Sequence, residues 1–469
     1  PGYDCFAEGL AAALDRGLLD IGSVNQAVRR VLIEKSRLGL FKNPYVNEDV
    51  PVFNSPESRT IAAEAAERSM VLLKNDGILP LTGVGSIALV GPLADERLCM
   101  LGGYSFPVHL IAAGLDKDDG IDQQIPTLRE VLSAKLGDRL SWEKGCDILR
   151  ERPREAPVFP GDIGLEGSAQ KSYISFDESG IPAAVRAAGK ADCVIAAVGD
   201  LAGLFLTGTV GEGSDVSSLQ LPGVQQKLLE ALVATGKPLV VVMFNGRPYH
   251  LGQVFSQAAA VLEGWLPGQE GATAVKRILF GECNPGGKLP VSIPKDAGAM
   301  PFFYNYKMKS AGTPIQSNFG AEYPFGFGLS YTSFSFSDFE IQDTTLPMDG
   351  TLVVSCRVSN TGRLEGDEVV QLYVRDMFAS LVRPVRELKG FKRMHLAPGS
   401  SARLRFMMPT DILSFTAYDN SRVLEPGEYE IMLGNSSRDI FFRQIITLEG
   451  SVTRLGEQWR MMTKAEVMQ

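Results

Sequence analysis

Ala191-Asp-Cys-Val-Ile-Ala-Ala-Val-Gly199, followed by Asp200, is a short apolar run closed by glycine. An alternating strand would carry a polar residue at every second place, so this run reads as a strand buried on both faces. Downstream comes Val210-Gly-Glu-Gly-Ser-Asp-Val-Ser-Ser-Leu-Gln-Leu-Pro222, a loop rich in Gly and Ser that holds two acids, Glu212 and Asp215. An amphipathic helix over 223–235 follows. Open α/β sheets place their chemistry in loops at the exit of parallel strands. Read from the residues alone, Glu212 is either a general acid/base or a solvated loop carboxylate. Asp215 is a rival acid or a turn residue. Gly211 and Gly213 free the loop backbone or serve ordinary turn chemistry.

Outward from this stretch, strands and helices alternate. Val84-Gly-Ser-Ile-Ala-Leu-Val-Gly91, 140–145, 238–244 and 259–263 read as strands. Helices are expected over 58–73, 126–136, 182–189 and 271–280. That alternation implies an α/β sandwich: a mostly parallel sheet with helices on both faces. Residues 150–178 are polar and loop-like. From about residue 333 the period changes to two, in runs such as Leu352-Val-Val-Ser-Cys-Arg-Val-Ser, Glu368-Val-Val-Gln-Leu-Tyr-Val, Ala402-Arg-Leu-Arg-Phe-Met-Met and Glu428-Tyr-Glu-Ile-Met-Leu. About seven short strands separated by turn signals suggest an all-β sandwich of fibronectin type III kind. Residues 1–50 read as two helices, too little to bury a core alone. The organisation expected is therefore 1–50 helices, 51–58 linker, 59–292 α/β domain, 293–332 connection, 333–450 β-sandwich and 451–469 a charged, partly helical tail.

Composition narrows the function. The 469 residues are 45% hydrophobic and 22% charged, with a net charge of −9 and no basic stripe, which argues against nucleic acid. No apolar run approaches the roughly 18 residues of a membrane span. The six cysteines form no CxxC pair and the three histidines, His109, His250 and His395, do not cluster. A metal site or His-based triad is not expected. No GxGxxG follows the first strand, so a nucleotide-binding reading is weak. The chain begins at Pro1, and a processed or partial protein is the expectation.

Several stretches resemble glycoside hydrolase family 3, the β-glucosidase and β-xylosidase group. They are Ala27-Val-Arg-Arg-Val-Leu with Leu38-Gly-Leu-Phe, Glu67-Arg-Ser-Met-Val-Leu-Leu-Lys-Asn-Asp-Gly-Ile-Leu-Pro-Leu81, Lys144-Gly-Cys-Asp, Asn245-Gly-Arg-Pro248, Asn284-Pro-Gly-Gly-Lys-Leu-Pro290, Tyr323-Pro-Phe-Gly-Phe-Gly-Leu-Ser-Tyr331 and Arg386-Glu-Leu-Lys-Gly-Phe391. They occur in family order over nearly the whole chain. The family layout is a TIM-like (β/α) barrel bearing a nucleophilic Asp, an α/β sandwich bearing the acid/base Glu, and often a fibronectin type III-like domain. The resemblance implies that residues 1–50 are the terminal helices of that barrel, whose nucleophile is unknown here and expected in the missing part.

The resemblance also places the acid. The family's acid/base Glu stands about ten residues before the Pro of a Leu-Pro-Gly motif, the interval from Glu212 to Pro222. Relatives often have Asp-Arg after this Glu, whereas Val216 follows Asp215 here, which leaves the sugar preference open. Asp215, Asp200 and Tyr104 are candidate substrate contacts. Asp200 binds a sugar hydroxyl or caps the loop, and Tyr104 stacks on sugar or packs. Trp265 carries the same two readings. Arg247 is expected in a salt bridge, and Phe325, Phe327 and Tyr331 in a joint between domains. The implied activity is that of a retaining exo-β-glycosidase on terminal non-reducing β-D-glucosyl residues, without a cofactor. Its alternatives are a β-xylosidase, a β-N-acetylglucosaminidase or a non-catalytic carbohydrate-binding scaffold. The expected partners are an oligosaccharide or aryl or alkyl β-glycoside and the barrel fragment, with a homodimer as a further expectation. No membrane partner is expected, and a periplasmic or secreted location is favoured over a cytoplasmic one.

Overall fold

Buried backbone must be hydrogen-bonded, and the apolar runs between residues 71 and 263 solve this by pairing into one sheet. A computed structural model describes residues 6–46, 54–112, 124–151, 173–201, 208–211, 214, 216–308 and 320–468. The chain forms two compact units, Pro1–Pro56 and Glu57–Gln469.

The first unit holds helices Glu8–Asp15 and Ile21–Arg37. Asp20 caps the second, accepting from Gly22 N at 2.6 Å and Ser23 N at 3.0 Å. Its apolar residues Val28, Val31 and Leu32 remain about half exposed (49%, 56% and 45%), and neither helix has a buried residue.

The second unit, from Glu57, holds the rest of helix Pro56–Ser69 and then the six strands of the sheet. These are β1 (Val71–Asn75), β2 (Ile87–Val90), β3 (Leu140–Glu143), β4 (Cys193–Gly199), β5 (Leu239–Phe244) and β6 (Ala260–Glu263). Their order is β1-β6-β5-β4-β2-β3, parallel throughout except for β1 against β6. The helix expected over 58–73 thus ends at Ser69. Val71, Leu72 and Leu73 are all buried, which a strand covered on both faces achieves and a one-sided helix does not.

Successive side chains of the strands enter opposite layers. Ile87, Leu89, Ile195, Val240, Val242 and Leu262 pack with helices Leu128–Leu136 and Gly271–Leu279. Ala88, Val90, Val194, Val241, Met243 and Val261 pack with helices Ile181–Lys190 and Gln225–Val233. Helix Leu128–Leu136 begins on a capping box: Thr127 Oγ1 accepts from Glu130 N, and Glu130 accepts from Thr127 N. Arg97 grips Glu130 through two 2.6 Å bonds and holds its carboxyl down at about 2.

A two-stranded ribbon, β7 (Ile293–Pro294) and β8 (Ala321–Tyr323), bridges to the sandwich. The sandwich comprises β9 (Phe334–Ile341), β10 (Thr345–Pro347), β11 (Thr351–Asn360), β12 (Gly366–Asp376), β13 (Glu387–Leu396) and β14 (Ser401–Pro409). It continues with β15 (Phe415–Thr416), β16 (Arg422–Leu424), β17 (Gly427–Gly434), β18 (Ile440–Glu449), β19 (Thr453–Leu455) and β20 (Lys464–Met468). The sheets run β10-β18-β17-β12-β13 and β20-β14-β11-β9, with a small β15-β16-β19 sheet beside them. Val354, Val358, Leu372, Leu404, Phe406 and Ile431 fill the space between. The tail is not helical: β19 and β20 belong to these sheets, and Lys464-Ala-Glu-Val carries the period-two pattern that a strand needs.

The α/β layers and the sandwich share a joint. Phe325 stacks on Tyr304 at 4.2 Å, and Tyr304 meets Tyr373 of β12 edge-on at 6.0 Å. Phe327 lies 5.4 Å from Tyr323, which packs on Phe255 of the α/β side at 5.2 Å. Tyr331 Oη donates to Ile278 O at 2.9 Å. Lys288 Nζ bridges buried Glu368 at 2.8 Å.

Candidate active site at the carboxyl ends of the strands

Strand order reverses between β2 and β4, because β3 lies on one side of β2 while β4, β5 and β6 extend on the other. Crevices outside the carboxyl ends near such a reversal are the usual ligand sites of open sheets. A cavity of about 250 Å³ lies there, lined by Leu93 beyond β2, by Lys144, Asp147 and Arg150 beyond β3, and by Leu201 beyond β4. Lys144 and Asp147 are ion-paired and half exposed.

Three buried polar residues mark the exits of the next three strands: Asp200 after β4, Asn245 after β5 and Glu263 at the end of β6. The chain can leave β4 close to β5 because residue 199 is glycine. Its φ is +143°, and a Cβ there would stand 1.9 Å from Phe244 O. Gln225 holds this exit: Gly199 N donates to its Oε1 at 3.0 Å, and its Nε2 donates to Gly199 O at 2.8 Å.

Asp200 is wholly buried, and its oxygens are occupied. Leu201 N donates to Oδ1 at 2.7 Å, Thr209 N reaches both oxygens at 3.1 Å, and the hydroxyls of Thr209 and Tyr249 both donate to Oδ2. Of the two readings of Asp200, this geometry is that of the loop cap. Burial raises its carboxyl above the usual range, against hydrogen bonds that favour the charged form. Burial first, and then the neighbouring Asp200, push the Tyr249 phenol up.

The segment that follows lies on the turn after β5. Gly246 leaves room for Val210, whose Cγ1 would stand 2.6 Å from a Cβ at that position. Ser214 N donates to Gly211 O at 3.1 Å. Arg247 Nη1 donates to Val216 O at 2.7 Å, and its Nη2 donates to Ser218 O. His250 N donates to Leu219 O at 2.7 Å. Arg247 thus caps main-chain carbonyls; among the described residues it makes no salt bridge of the kind expected, since both of its terminal nitrogens are directed at the loop. Glu212, Gly213 and Asp215 lie outside the described residues.

Glu263 was not singled out in the sequence, where it looks like the polar end of an apolar run. It is fully buried, and burial pushes its carboxyl up to about 8, with Trp265 N at 3.1 Å and Asn245 Nδ2 at 3.3 Å as its donors. Burial thus favours its neutral form over the charged one. Trp265 adopts φ +55°. Neither its Nε1 nor Asn245 Oδ1 has a partner among the described residues. Tyr104 is exposed at the same end of the sheet. One methyl, Leu266 Cδ1, would lie 3.9 Å from a Cβ at Gly102 and 3.4 Å from one at Gly246, so the Tyr104 loop and the Arg247 turn flank a single side chain.

Comparison with known proteins adds the following. Residues 70–331 match the glycosyl hydrolase family 3 C-terminal domain, and residues 368–437 match a fibronectin type III-like domain. A beta-xylosidase of Formosa agariphila is 36% identical over 88% of this chain and 54% of its own length. A periplasmic beta-glucosidase of Salmonella typhimurium is 35% identical over 92% of this chain and 56% of its own. The crystal structure of a beta-glucosidase from Listeria innocua in complex with glucose superposes with a TM-score of 0.77 at 27% identity, covering 96% of this chain and 58% of that one. The chain therefore spans about half the length of the curated relatives it matches. No helix among the described residues is long and apolar enough to cross a membrane.

Proposed function

The chain belongs to glycosyl hydrolase family 3, and we propose that it carries the general acid/base of a retaining exo-β-glycosidase acting on terminal β-D-glucosyl residues. Glu212 protonates the glycosidic oxygen while a carboxylate outside this chain attacks the anomeric carbon. The glycosyl ester so formed is then hydrolysed by a water that Glu212 deprotonates. The two carboxyl groups of a retaining enzyme stand about 5–5.5 Å apart, so the partner acid must come that close to Glu212. No cofactor enters either step.

One observation carries the reading. The segment that holds Glu212 is fastened at Thr209 and again at Val216–Leu219, at the strand exits where open sheets bind ligands. The charged cavity beyond β2, β3 and β4 offers paired donors and acceptors for sugar hydroxyls. Asp215 and Tyr104 remain candidate contacts to substrate. The exposed apolar stripe of helix Ile21–Arg37 fits a missing barrel as its partner. The unit is then active only with that barrel, as a second chain or within a longer one. The periplasmic relative favours a periplasmic or secreted location.

The sugar has a second reading. The xylosidase and the glucosidase relatives are almost equally similar, at 36% and 35% identity. The chain, joined to its barrel part, is assayed on aryl β-glucoside and aryl β-xyloside, with Glu212→Ala alongside. Hydrolysis of one sugar, lost in the variant by ~10²-fold or more, is the expected result. Hydrolysis indifferent to the substitution removes Glu212 from the reaction, and sugar binding without hydrolysis leaves a carbohydrate-binding scaffold.

A further inference from the structure

We propose that Arg247, braced by Tyr249 and Asp200, is the positioning residue of the general acid; the inference rests on the Glu212 reading above. The segment 209–219 is fastened at both ends to one turn. Thr209 is tied through Asp200 and Tyr249, with Thr209 Oγ1 and Tyr249 Oη 3.1 Å apart. Val216 and Ser218 are tied through the two terminal nitrogens of Arg247, and Leu219 through His250 N. The two fastenings also touch each other, because the Arg247 guanidinium carbon sits 5.0 Å from the centre of the Tyr249 ring. Arg247, Tyr249 and His250 all come from the turn after β5, so the bracket is anchored at the end of a wholly buried strand.

A fork of this kind sets distance and direction together. The planar guanidinium addresses Val216 O and Ser218 O at once, which an ammonium point charge does not reproduce. Gly246 completes the cradle by leaving the volume that Val210 fills. Among the described residues this arginine donates to two carbonyls of the segment that bears the acid. Misplacing a reacting group by ~1 Å costs about 10²-fold in rate, so the bracket matters chiefly to the step that uses the acid.

The test separates acid placement from general damage. Arg247→Ala, Arg247→Lys and Glu212→Ala are compared in the barrel-joined protein on a dinitrophenyl β-glycoside, whose leaving group needs no proton, and on a methyl β-glycoside, whose leaving group does. Arg247→Ala is expected to lose ~10²-fold in kcat/KM, which reports the step that expels the leaving group, on the methyl substrate and under ~5-fold in kcat/KM on the dinitrophenyl one, with Arg247→Lys between it and wild type. Hydrogen exchange of the 469-residue chain is expected to accelerate over 209–219 and to stay unchanged in β4 and β5. Equal losses on both substrates, no loss on either, or unchanged exchange over 209–219 would overturn the proposal. If Glu212→Ala itself shows no leaving-group dependence, the acid assignment fails instead, and the exchange measurement alone then decides whether the bracket exists.

Discussion

Glu263 makes a quantitative prediction that is independent of any substrate. Its folded-state carboxyl titrates at about 8 rather than the ordinary 4.5, because burial penalises the charged form. Below the lower value both the folded and the unfolded chain hold the proton. Between the two values only the unfolded chain releases it, so wild-type stability falls as pH rises, by about 1.4 kcal/mol per pH unit. Above about 8 the loss levels off. The full interval corresponds to roughly 4–5 kcal/mol. Glu263→Gln removes the titration while keeping an oxygen for Trp265 N. Urea unfolding of both proteins is followed by tryptophan fluorescence, since Trp142 and Trp265 report on the α/β layers. The variant's stability relative to wild type should rise by several kcal/mol between about pH 4.5 and pH 8.5. A difference that stays flat over that range, or that moves against the variant at high pH, would refute the reasoning.

Two further substitutions test how the site is held. Gly199→Ala drives a Cβ to within 1.9 Å of Phe244 O at a φ of +143°, and should lower the unfolding midpoint by an amount equivalent to about 3 kcal/mol or more. A denaturant curve that coincides with wild type would mean that the strand exit can open freely. Lys288→Ala leaves buried Glu368 without its 2.8 Å partner at the joint and should cost about 3–5 kcal/mol, most of it recovered by adding Glu368→Gln. Equal stability of the single and double variants, measured in the same way, would show that the pair is not what fixes the joint.

Much of the sheet was legible because its strands are continuous apolar runs bounded by glycine, and because Gly199–Asp200 announces a strand exit. Met70-Val-Leu-Leu was misread because an apolar run that continues from a helix looks the same whether it stays helical or becomes a doubly covered strand. Strands β13 and β18 escaped individual notice because half of their residues are only partly buried and their alternation is diluted by Lys, Arg and Gln. At the site, the sequence displays acids but hides what they touch. Arg247 was expected in a salt bridge because carboxylates are visible in a sequence, whereas the carbonyls of Val216 and Ser218 are common to every residue. For Asp200 the sequence leaves open a sugar contact or a loop cap, and it hides the donors around it, Leu201 N, Thr209 and Tyr249. The only signal for Glu263 was a carboxylate ending the run Ala259–Glu263, where a solvated end and a buried neutral acid read alike.

The role of Glu212 is tested most directly by chemical rescue. In the barrel-joined Glu212→Ala protein, azide needs no general base to attack the glycosyl ester. It is therefore expected to accelerate turnover of the dinitrophenyl substrate and to give a glycosyl azide of β configuration. No acceleration, or an α-configured azide, would contradict the assignment.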